Sequence, residues 1–167
     1  MKEDIRGLLV KIYSLGEFRN YYLIENVAEI LYHVSSLNVM GGMHFQVSPF
    51  DQEKLVWIIQ RPIFDFVPPI LKNSNTYNDC YSFELKENEG ESLHISGGIA
   101  YGFLSLSENA TVLYFLDTQY STQHNRGIRY DSFGFNWQID LLIVSERDRI
   151  FACLDYFVSL FEMVNYD

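Results

Sequence analysis

Short apolar runs separated by turn residues make up most of the chain. Residues 80–86 alternate between apolar and polar side chains, which predicts a strand. Residues 92–98, 98–106 and 110–120 are further runs rich in β-branched and aromatic side chains, and glycine or a short polar turn separates them. Many short strands with regular turns predict an all-β sandwich or barrel of the jelly-roll type.

The two ends of the chain carry the remaining predicted elements. Residues 5–13 and 18–34 are predicted to form short strands, since they mix β-branched and aromatic residues. The tail over 149–165 is predicted to be a C-terminal helix, because its apolar side chains recur roughly at helical spacing. These apolar positions are Ile150, Leu154, Phe157, Val158, Leu160 and Phe161.

The composition predicts one folded domain over residues 1–167. The sequence is 48% hydrophobic and 16% aromatic, which argues against wholesale disorder and supplies a substantial core. The net charge of −10 argues against nucleic acid or an anionic membrane as the main partner, because both require a basic face. A local cluster of lysine and arginine around a small anion remains compatible with this charge.

The sequence also bears on the cellular compartment. Cys80 and Cys153 have no metal-binding spacing and give no disulfide framework, which suits a reducing cytosol. The opening MKEDIRGLLVKIY contains early acidic residues and an apolar run too short for a signal peptide, and no apolar stretch approaches a membrane span. We therefore expect a soluble cytoplasmic domain.

Residues 40–56 combine the side chains that are best suited to chemistry. Gly41 and Gly42 permit a bend or a close approach of a ligand to the backbone. His44 and Gln46 follow at alternate positions, so in a strand both point to the same face. A histidine that titrates near neutral pH beside Lys54 is suited to act as a base next to an anion-stabilising cation. A hydrogen-bonded structural histidine is the alternative interpretation.

A second cluster combines aromatic and basic side chains near the N-terminus. Arg19 is followed closely by Tyr21 and Tyr22. A binding role and a solvated edge strand with exposed tyrosines are both compatible with this pattern.

Residues 97–137 carry motifs that resemble the dTDP-4-dehydrorhamnose 3,5-epimerase family of cupin-like jelly rolls. The matching pieces are a GxAxGF motif, a VLY at 112–114, Tyr120 within DTQY and an RGIRYD at 126–131. The resemblance extends back to GGMHFQ with Lys54 at the family's spacing, and forward to an S-x-R-D sequence at 145–148. It implies a cupin-type jelly-roll barrel over roughly residues 19–150.

The resemblance implies an epimerase that acts on a nucleotide-linked 4-keto-6-deoxyhexose and needs no metal or redox cofactor. It also implies a role in deoxysugar biosynthesis, for example for lipopolysaccharide O-antigen. Its implied catalytic residues are His44 as base, Asp148 as the partner of that base, Lys54 as the cation and Tyr114 as acid. Its implied substrate-binding residues are Gln46, Tyr120, Arg147, Arg19, Tyr101 and Tyr22. Arg19 with its tyrosines loosely matches a segment that reaches the neighbouring subunit's site in the family, which implies a homodimer.

These residue types suit proton transfer at carbon. A proton on a carbon beside a ketone is acidic only if the resulting enolate is stabilised. A base on one face, a cation near the enolate oxygen and an acid on the other face together invert the carbon. His44, Lys54 and Tyr114 are the candidates for these three parts, and Asp148 is expected to orient the imidazole.

Several positions depart from the family's pattern. Gly41 replaces an arginine, and Tyr101 replaces a histidine, which removes two expected phosphate contacts. A further family motif is lost where Pro69 and Leu71 stand. We interpret the chain as retaining the chemistry on an altered nucleotide sugar, with a nucleotide other than dTDP or inversion at one carbon only as possible changes.

Three alternatives accompany this interpretation. The missing phosphate contacts are compatible with a non-catalytic sugar-nucleotide-binding protein on the same fold. A 3,4-ketoisomerase of the same superfamily requires a different histidine arrangement. A metal-binding cupin requires H-x-H followed by G-x-x-H, whereas this chain has His44 followed by Gln46 and has Tyr101 at the later position.

Overall fold

The computed structural model describes residues 1–162 apart from a few single positions. The positions outside the described residues are Tyr22, Glu25, Asn73, Asn78, Gln138, Asp140 and 163–167. Strands dominate the described chain, and the only α-helices among its elements are α1 (Leu15–Asn20) and α2 (Glu146–Arg149). Two short 3-10 turns occupy Tyr130–Ser132 and Leu154–Tyr156.

The strands run the length of the chain. The first seven are β1 (Lys2–Asp4), β2 (Gly7–Leu9), β3 (Glu29–Ser35), β4 (Val39–Gln46), β5 (Lys54–Gln60), β6 (Ile63–Val67) and β7 (Leu71–Lys72). The other seven are β8 (Tyr81–Leu85), β9 (Ser92–Ile95), β10 (Tyr101–Ser105), β11 (Ala110–Leu116), β12 (Asn125–Gly127), β13 (Ile143–Val144) and β14 (Phe161–Glu162).

Two antiparallel sheets form the body of the fold. The larger sheet has the order β12-β4-β10-β6-β8, and β13 adds to β4 in parallel. The smaller sheet has the order β3-β11-β5-β9. Neighbours in both sheets are distant in sequence, as in a jelly roll, and this agrees with the predicted all-β fold.

Alternation along the strands sorts side chains into an inner core and two outer layers. Val112 and Tyr114 of β11 face the inner core between the sheets, whereas Phe115 belongs to an outer layer covered by N-terminal residues. In the larger sheet, Phe103 faces inward and Leu104 faces a second outer layer. Each sheet therefore has apolar side chains on both faces, because a terminal segment covers its outer side.

The tail corrects one sequence-based prediction. The helix expected over 149–165 is wrong for the described part of that range, which contains the end of α2, a 3-10 turn and β14. Phe157 and Phe161 pack their rings edge-on against Phe45 at 5.6 and 5.7 Å, while the intervening Val158 and Leu160 are exposed. This two-residue alternation spreads an extended segment over a sheet face, so the roughly helical spacing was misleading.

The N-terminal prediction also needs correction in part. Residues 29–35 form β3 as expected, but Leu15–Asn20 form a short helix where a strand was predicted from residue 18. Phe18 of this helix packs on Tyr13, and both belong to the layer that covers the smaller sheet. In the part of the chain that the structure describes, no helix is long and apolar enough to span a membrane.

Candidate active site

A cavity of about 750 Å³ opens between the two sheets. The larger sheet supplies His44 from β4 and Tyr101 from β10, which lie directly opposite each other in the antiparallel register. The smaller sheet supplies Tyr114 from β11 and Lys54 from β5. Four residues that are remote in sequence thus face one space, because inward positions of both sheets converge there.

The imidazole of His44 is bonded to a buried carboxylate. Its Nε2 lies 2.6 Å from Oδ1 of Asp148, and Asp148 is only 3% exposed. Burial raises the pKa of the Asp148 carboxyl, but hydrogen bonds from His44, Ser145 and Gly42 and the charge of His44 outweigh burial and lower it below the usual value. The carboxylate form is therefore the stable one, and it fixes the orientation of the ring.

The local sequence explains why Asp148 reaches the histidine. β13 pairs in parallel with the start of β4, so α2 begins beside His44. Ser145 caps α2 by accepting a hydrogen bond from the Asp148 backbone N–H at 3.1 Å. The S-x-R-D sequence thus combines a helix cap with the carboxylate that it positions.

Arg147 brings a cation to the same histidine. Its Nη2 lies 2.9 Å from Nδ1 and 3.1 Å from Nε2 of His44, so the guanidinium rests against the imidazole ring. The guanidinium carbon also lies 5.8 Å from the ring centre of Phe151, whose ring contacts His44 edge-on at 5.4 Å. The base candidate is therefore held by a carboxylate, a cation and an aromatic ring.

Tyr114 reaches the cavity from the opposite sheet. Its ring contacts that of Tyr101 edge-on, with centres 6.0 Å apart, and the two phenols also interact. Burial raises the pKa of the Tyr114 phenol well above its ordinary value, an effect that the phenol of Tyr101 reduces and the charge of Asp65 increases. A phenol with a high pKa retains its proton and can serve only as an acid at neutral pH.

Lys54 supplies a second cation inside the cavity. Its Nζ lies 5.7 Å from the ring centre of Tyr101. Burial lowers the pKa of the Lys54 ammonium to about 8. No ion pair of Lys54 with a carboxylate occurs among the described residues, so its charge is available to an anionic ligand.

The mouth of the cavity is formed by Tyr120 and Arg147. Tyr120 is half exposed, and its hydroxyl accepts a hydrogen bond of 3.4 Å from the Arg147 guanidinium. Gln46, in contrast, does not line the cavity. Its amide donates to the carbonyls of Phe50 and Gln119 and accepts from the Ser121 backbone N–H. These contacts indicate that Gln46 positions the segment that carries Tyr120, and its direct contact with a substrate stays a prediction.

The structure brings together most of the predicted site residues. Those that line the one cavity are His44, Asp148, Lys54, Tyr114, Tyr120, Arg147 and Tyr101. Arg19 lies exposed on α1, away from the cavity of its own chain. Tyr22 lies outside the described residues.

Two glycines at the site serve packing between strands. A Cβ at Gly41 would lie 2.8 Å from the Phe103 ring, and Gly42 has φ of +124° with its Cβ position 2.4 Å from the Cα of Gly102. Phe103 thus fills the space beside Gly41 where the family's arginine would begin. The cations that line the cavity instead come from Lys54 and Arg147, with His33 on β3 as a further ring.

Sequence reasoning missed Asp65. This residue is completely buried on β6, and its Oδ1 accepts a hydrogen bond of 2.7 Å from the hydroxyl of Tyr101. A lone carboxylate inside the apolar run IFDFV is the signal that marks it, because acidic residues in strand interiors rarely face a core without a partner. Across the described ranges, His, Cys, Asp and Glu side chains form no group of three that could hold a metal ion.

Comparisons with known proteins identify the family of the chain. The family model for dTDP-4-dehydrorhamnose 3,5-epimerase matches residues 1–155. This chain belongs to that family. The sequence-based prediction of an isomerase of the epimerase class is thereby confirmed.

Individual members of the epimerase family are similar over most of their length. A dTDP-4-dehydrorhamnose 3,5-epimerase from Sinorhizobium fredii is 31% identical over 154 residues, which cover 87% of this chain and 76% of the relative. The crystal structure of the enzyme from Sulfolobus tokodaii superposes with a TM-score of 0.86 at 29% identity, covering 93% of this chain and 86% of that one. The enzyme from Bacillus anthracis, solved with TDP and PPi bound, has a TM-score of 0.86 at 26% identity, covering 90% and 88%.

Proposed function

We propose that this epimerase-family protein inverts C3, C5 or both in a nucleotide-linked 4-keto-6-deoxyhexose. The single observation that carries the proposal is that the His44–Asp148 pair and the Tyr114 phenol line one cavity from opposite sheets. Inversion requires a base on one face of the carbon and an acid on the other. The bound TDP of the Bacillus anthracis relative supports a nucleotide-linked ligand.

In the proposed mechanism, His44 removes the proton from the carbon beside the ketone. Asp148 orients the imidazole and stabilises the imidazolium that forms. Lys54 places its ammonium near the oxygen that becomes an enolate, a contribution often worth several kcal/mol. Tyr114 then delivers its proton to the opposite face of the carbon, which inverts it.

The nucleotide part of the substrate is assigned to the mouth of the cavity. Tyr120 is half exposed there and presents an aromatic ring on which a base can stack. Arg147 lies beside it, and a diphosphate offers this guanidinium a bidentate partner. Lys54 and Arg147 then supply the positive charge of the site, Lys54 near the enolate oxygen and Arg147 at the diphosphate. They replace the two phosphate contacts that are missing because Gly41 and Tyr101 stand at those positions.

A homodimer is part of the proposal. β3 is an edge strand of the smaller sheet, and its residues Ile30, Tyr32 and Val34 are exposed. An uncovered apolar edge is an aggregation hazard unless another chain covers it, and a second copy is the occupant we assign. Arg19, exposed on α1, remains a predicted contributor to the neighbouring subunit's site.

We assign the protein to the cytoplasm and to the supply of a deoxysugar for a surface polysaccharide such as O-antigen. The two cysteines, Cys80 and Cys153, are free, which suits a reducing compartment. The absence of any metal or redox cofactor stays a prediction, motivated by a reaction that needs only proton transfer.

Solvent deuterium exchange tests the proposed reaction. The purified protein is incubated in D₂O with a panel of nucleotide-linked 4-keto-6-deoxyhexoses, and deuterium at C3 and C5 is followed by NMR. We expect incorporation with inversion, and we expect His44→Gln to abolish it. His94→Gln is the matched control, because His94 also contacts a carboxylate, that of Glu53 at 3.2 Å, but lies outside the cavity.

The outcomes separate the alternatives. Tight binding of a panel member without exchange would replace the epimerase with the sugar-nucleotide-binding alternative. A product with its carbonyl moved between C3 and C4 would establish the ketoisomerase instead.

A further inference from the structure

Asp65 is a buried acid that has no part in the proposed proton transfer between His44, the substrate and Tyr114. It lies on the inward face of β6, is completely buried, and accepts the hydroxyl hydrogen of Tyr101 at 2.7 Å. Its second oxygen, Oδ2, is also buried and has no hydrogen-bond partner among the described residues. An ionised carboxylate with one oxygen unpaired in an apolar core is costly, so this group favours its protonated form.

Tyr101 connects this acid to the active site. Its hydroxyl lies 2.7 Å from Asp65 Oδ1, its ring contacts the ring of Tyr114 edge-on with centres 6.0 Å apart, and a hydrogen bond between the two phenols contributes to the pKa shift of each. The Tyr101 ring also lines the cavity. A phenol donates one hydrogen bond while it accepts another, so it can pass a proton along such a row. Asp65, Tyr101 and Tyr114 therefore form a continuous row of acidic groups that leads from the core to the cavity.

The pKa order along this row suits proton supply. Burial raises the pKa of Asp65 to about 7, although the hydrogen bond from Tyr101 opposes this change. Burial raises the pKa of Tyr101 well above its ordinary value, and the charge of Asp65 raises it further. Asp65 is therefore the strongest acid of the three, and both phenols recover a proton readily once they lose one.

We propose that Asp65 and Tyr101 form a proton relay that restores the proton of Tyr114 as the substrate is reprotonated. This inference rests on the proposed epimerase function and adds two residues that act through Tyr114. It also gives Tyr101 a role other than the implied substrate contact, since its hydroxyl points at Asp65.

The proton balance of the relay is closed. The O–H bond of Tyr114 breaks as a C–H bond forms on the substrate carbon, and the electron pair of the enolate makes that bond. The hydroxyl proton of Tyr101 moves to the Tyr114 oxygen, and the carboxyl proton of Asp65 moves to the Tyr101 oxygen. Asp65 is left as the carboxylate, and its Oδ1, which lies 2.7 Å from the Tyr101 hydroxyl, then accepts a hydrogen bond from that hydroxyl. Water that enters the emptied cavity takes the proton held by the His44 imidazolium and returns one proton through Tyr114 and Tyr101 to Asp65, so that all four groups regain their starting state.

The first experiment needs no substrate. The carbonyl stretch of a protonated carboxyl group is followed by infrared difference spectroscopy during a pH titration. We expect a band that titrates near pH 7, disappears in Asp65→Asn and shifts in both Tyr101→Phe and Tyr114→Phe. The exposed pair Tyr81 and Asp79, whose side chains lie 3.4 Å apart, gives the control variants Tyr81→Phe and Asp79→Asn, which leave the band unchanged. An Asp65 band that is insensitive to Tyr114→Phe would overturn the relay whatever the substrate is.

The second experiment separates the two halves of the reaction. Removal of the proton by His44 does not need the relay, and Asp65 does not line the cavity, so Asp65→Asn should keep deuterium exchange within about twofold of the parent, with KM unchanged. Inversion should fall roughly 10- to 100-fold in both Asp65→Asn and Tyr101→Phe, as expected for part of a general-acid step. Tyr101→His should recover most of the inversion, because imidazole also donates and accepts a proton.

The results distinguish the relay from the function on which it rests. Equal losses of exchange and inversion in Asp65→Asn would indicate a structural role and overturn the relay. Absence of exchange in the parent protein with every sugar would instead count against the proposed function, and the infrared result would still decide whether the three groups are coupled.

Discussion

Nε2 of His44 lies 2.6 Å from Oδ1 of Asp148, although 104 residues separate them in sequence. The carboxylate is buried and fixed further by the Ser145 cap of α2, so it cannot turn away to solvent. The ring is thereby locked with one nitrogen engaged and its other side directed to Arg147 and the cavity. This one contact ties the C-terminal part of the chain to the chemistry of β4.

Replacing Asp148 by asparagine should slow the reaction strongly. The amide keeps the shape of the side chain but removes the charge that orients His44 and stabilises its protonated form. We expect the exchange rate to fall roughly 100-fold or more. Deuterium wash-in measures it, and Asp155→Asn, at an exposed carboxylate outside the cavity, is the control that should exchange at the parent rate.

Tyr114→Phe should separate exchange from inversion. The variant retains His44, so a proton can leave and return on one face, but the acid for the other face is lost. We expect deuterium incorporation with retained configuration and a fall in inversion of about 100-fold or more. Product configuration is read by NMR, with Tyr156→Phe at an exposed tyrosine as control. Undiminished inversion in Tyr114→Phe would remove Tyr114 from the mechanism.

Lys54→Met should trade activity for stability. Burial lowers the pKa of Lys54 from 10.5 to about 8 in the folded protein, so the unfolded chain holds this proton more tightly. Burial of the charged Lys54 ammonium therefore lowers the free energy of unfolding by its full amount below about pH 8, and this effect disappears as pH rises to 10.5. We expect the variant to be roughly 1–3 kcal/mol more stable than the parent at neutral pH, with no gain above pH 10.5.

Urea unfolding at the two pH values checks the Lys54 prediction, and Lys86→Met, at an exposed lysine, should show no such pH-dependent difference. The same Lys54→Met variant should lose most of its exchange activity, because the cation near the enolate is gone. If the stability gain of Lys54→Met over the parent were smaller at neutral pH than at high pH, Lys54 could not be a buried cation with a lowered pKa.

The carboxyl of Asp65 should leave its own mark on stability. Its pKa is 3.8 in the reference state and about 7 in the folded protein, so the folded state holds the proton more tightly between these values. Stability of the parent therefore falls as pH rises from about 4 to about 7 and is level above that range. Asp65→Asn removes this part of the pH dependence. The free energy of unfolding of the variant minus that of the parent should therefore increase by about 2–4 kcal/mol as pH rises from about 4 to about 7. Urea unfolding across the range measures it, and parallel curves for the two proteins would refute a buried, protonatable Asp65.

The apolar edge at β3 predicts the assembly state. Sedimentation velocity should show a dimer for the parent, whereas Tyr32→Lys should dissociate it by placing a charge on the covered edge. Val158→Lys, at an equally exposed position of the tail, is the control that should remain dimeric. A parent protein that sediments as a monomer at high concentration would end the dimer proposal.

Local patterns were sufficient for much of the fold. The alternating run 80–86 contains β8, and the run 110–120 contains β11, because alternating side chains and β-branched or aromatic side chains both favour a strand. The spacing of apolar residues in the tail predicted a helix wrongly, because its aromatic residues pack on a sheet face that does not exist until the larger sheet has formed. In a short apolar segment, the spacing of apolar residues is too weak a signal to distinguish a helix from an extended segment that packs on a sheet.

The sequence by itself determined the family, the strand-rich fold and the residue types at the cavity, because motif spacing and alternation are local properties of the chain. Only the tertiary structure decided which of those side chains meet. It turned Gln46 toward the loops, placed Arg19 away from its own cavity, and joined Tyr101 to Asp65. The physical reason is that burial and hydrogen-bond partners come from strands far apart in sequence, and these set both the pKa values and the direction of each polar group.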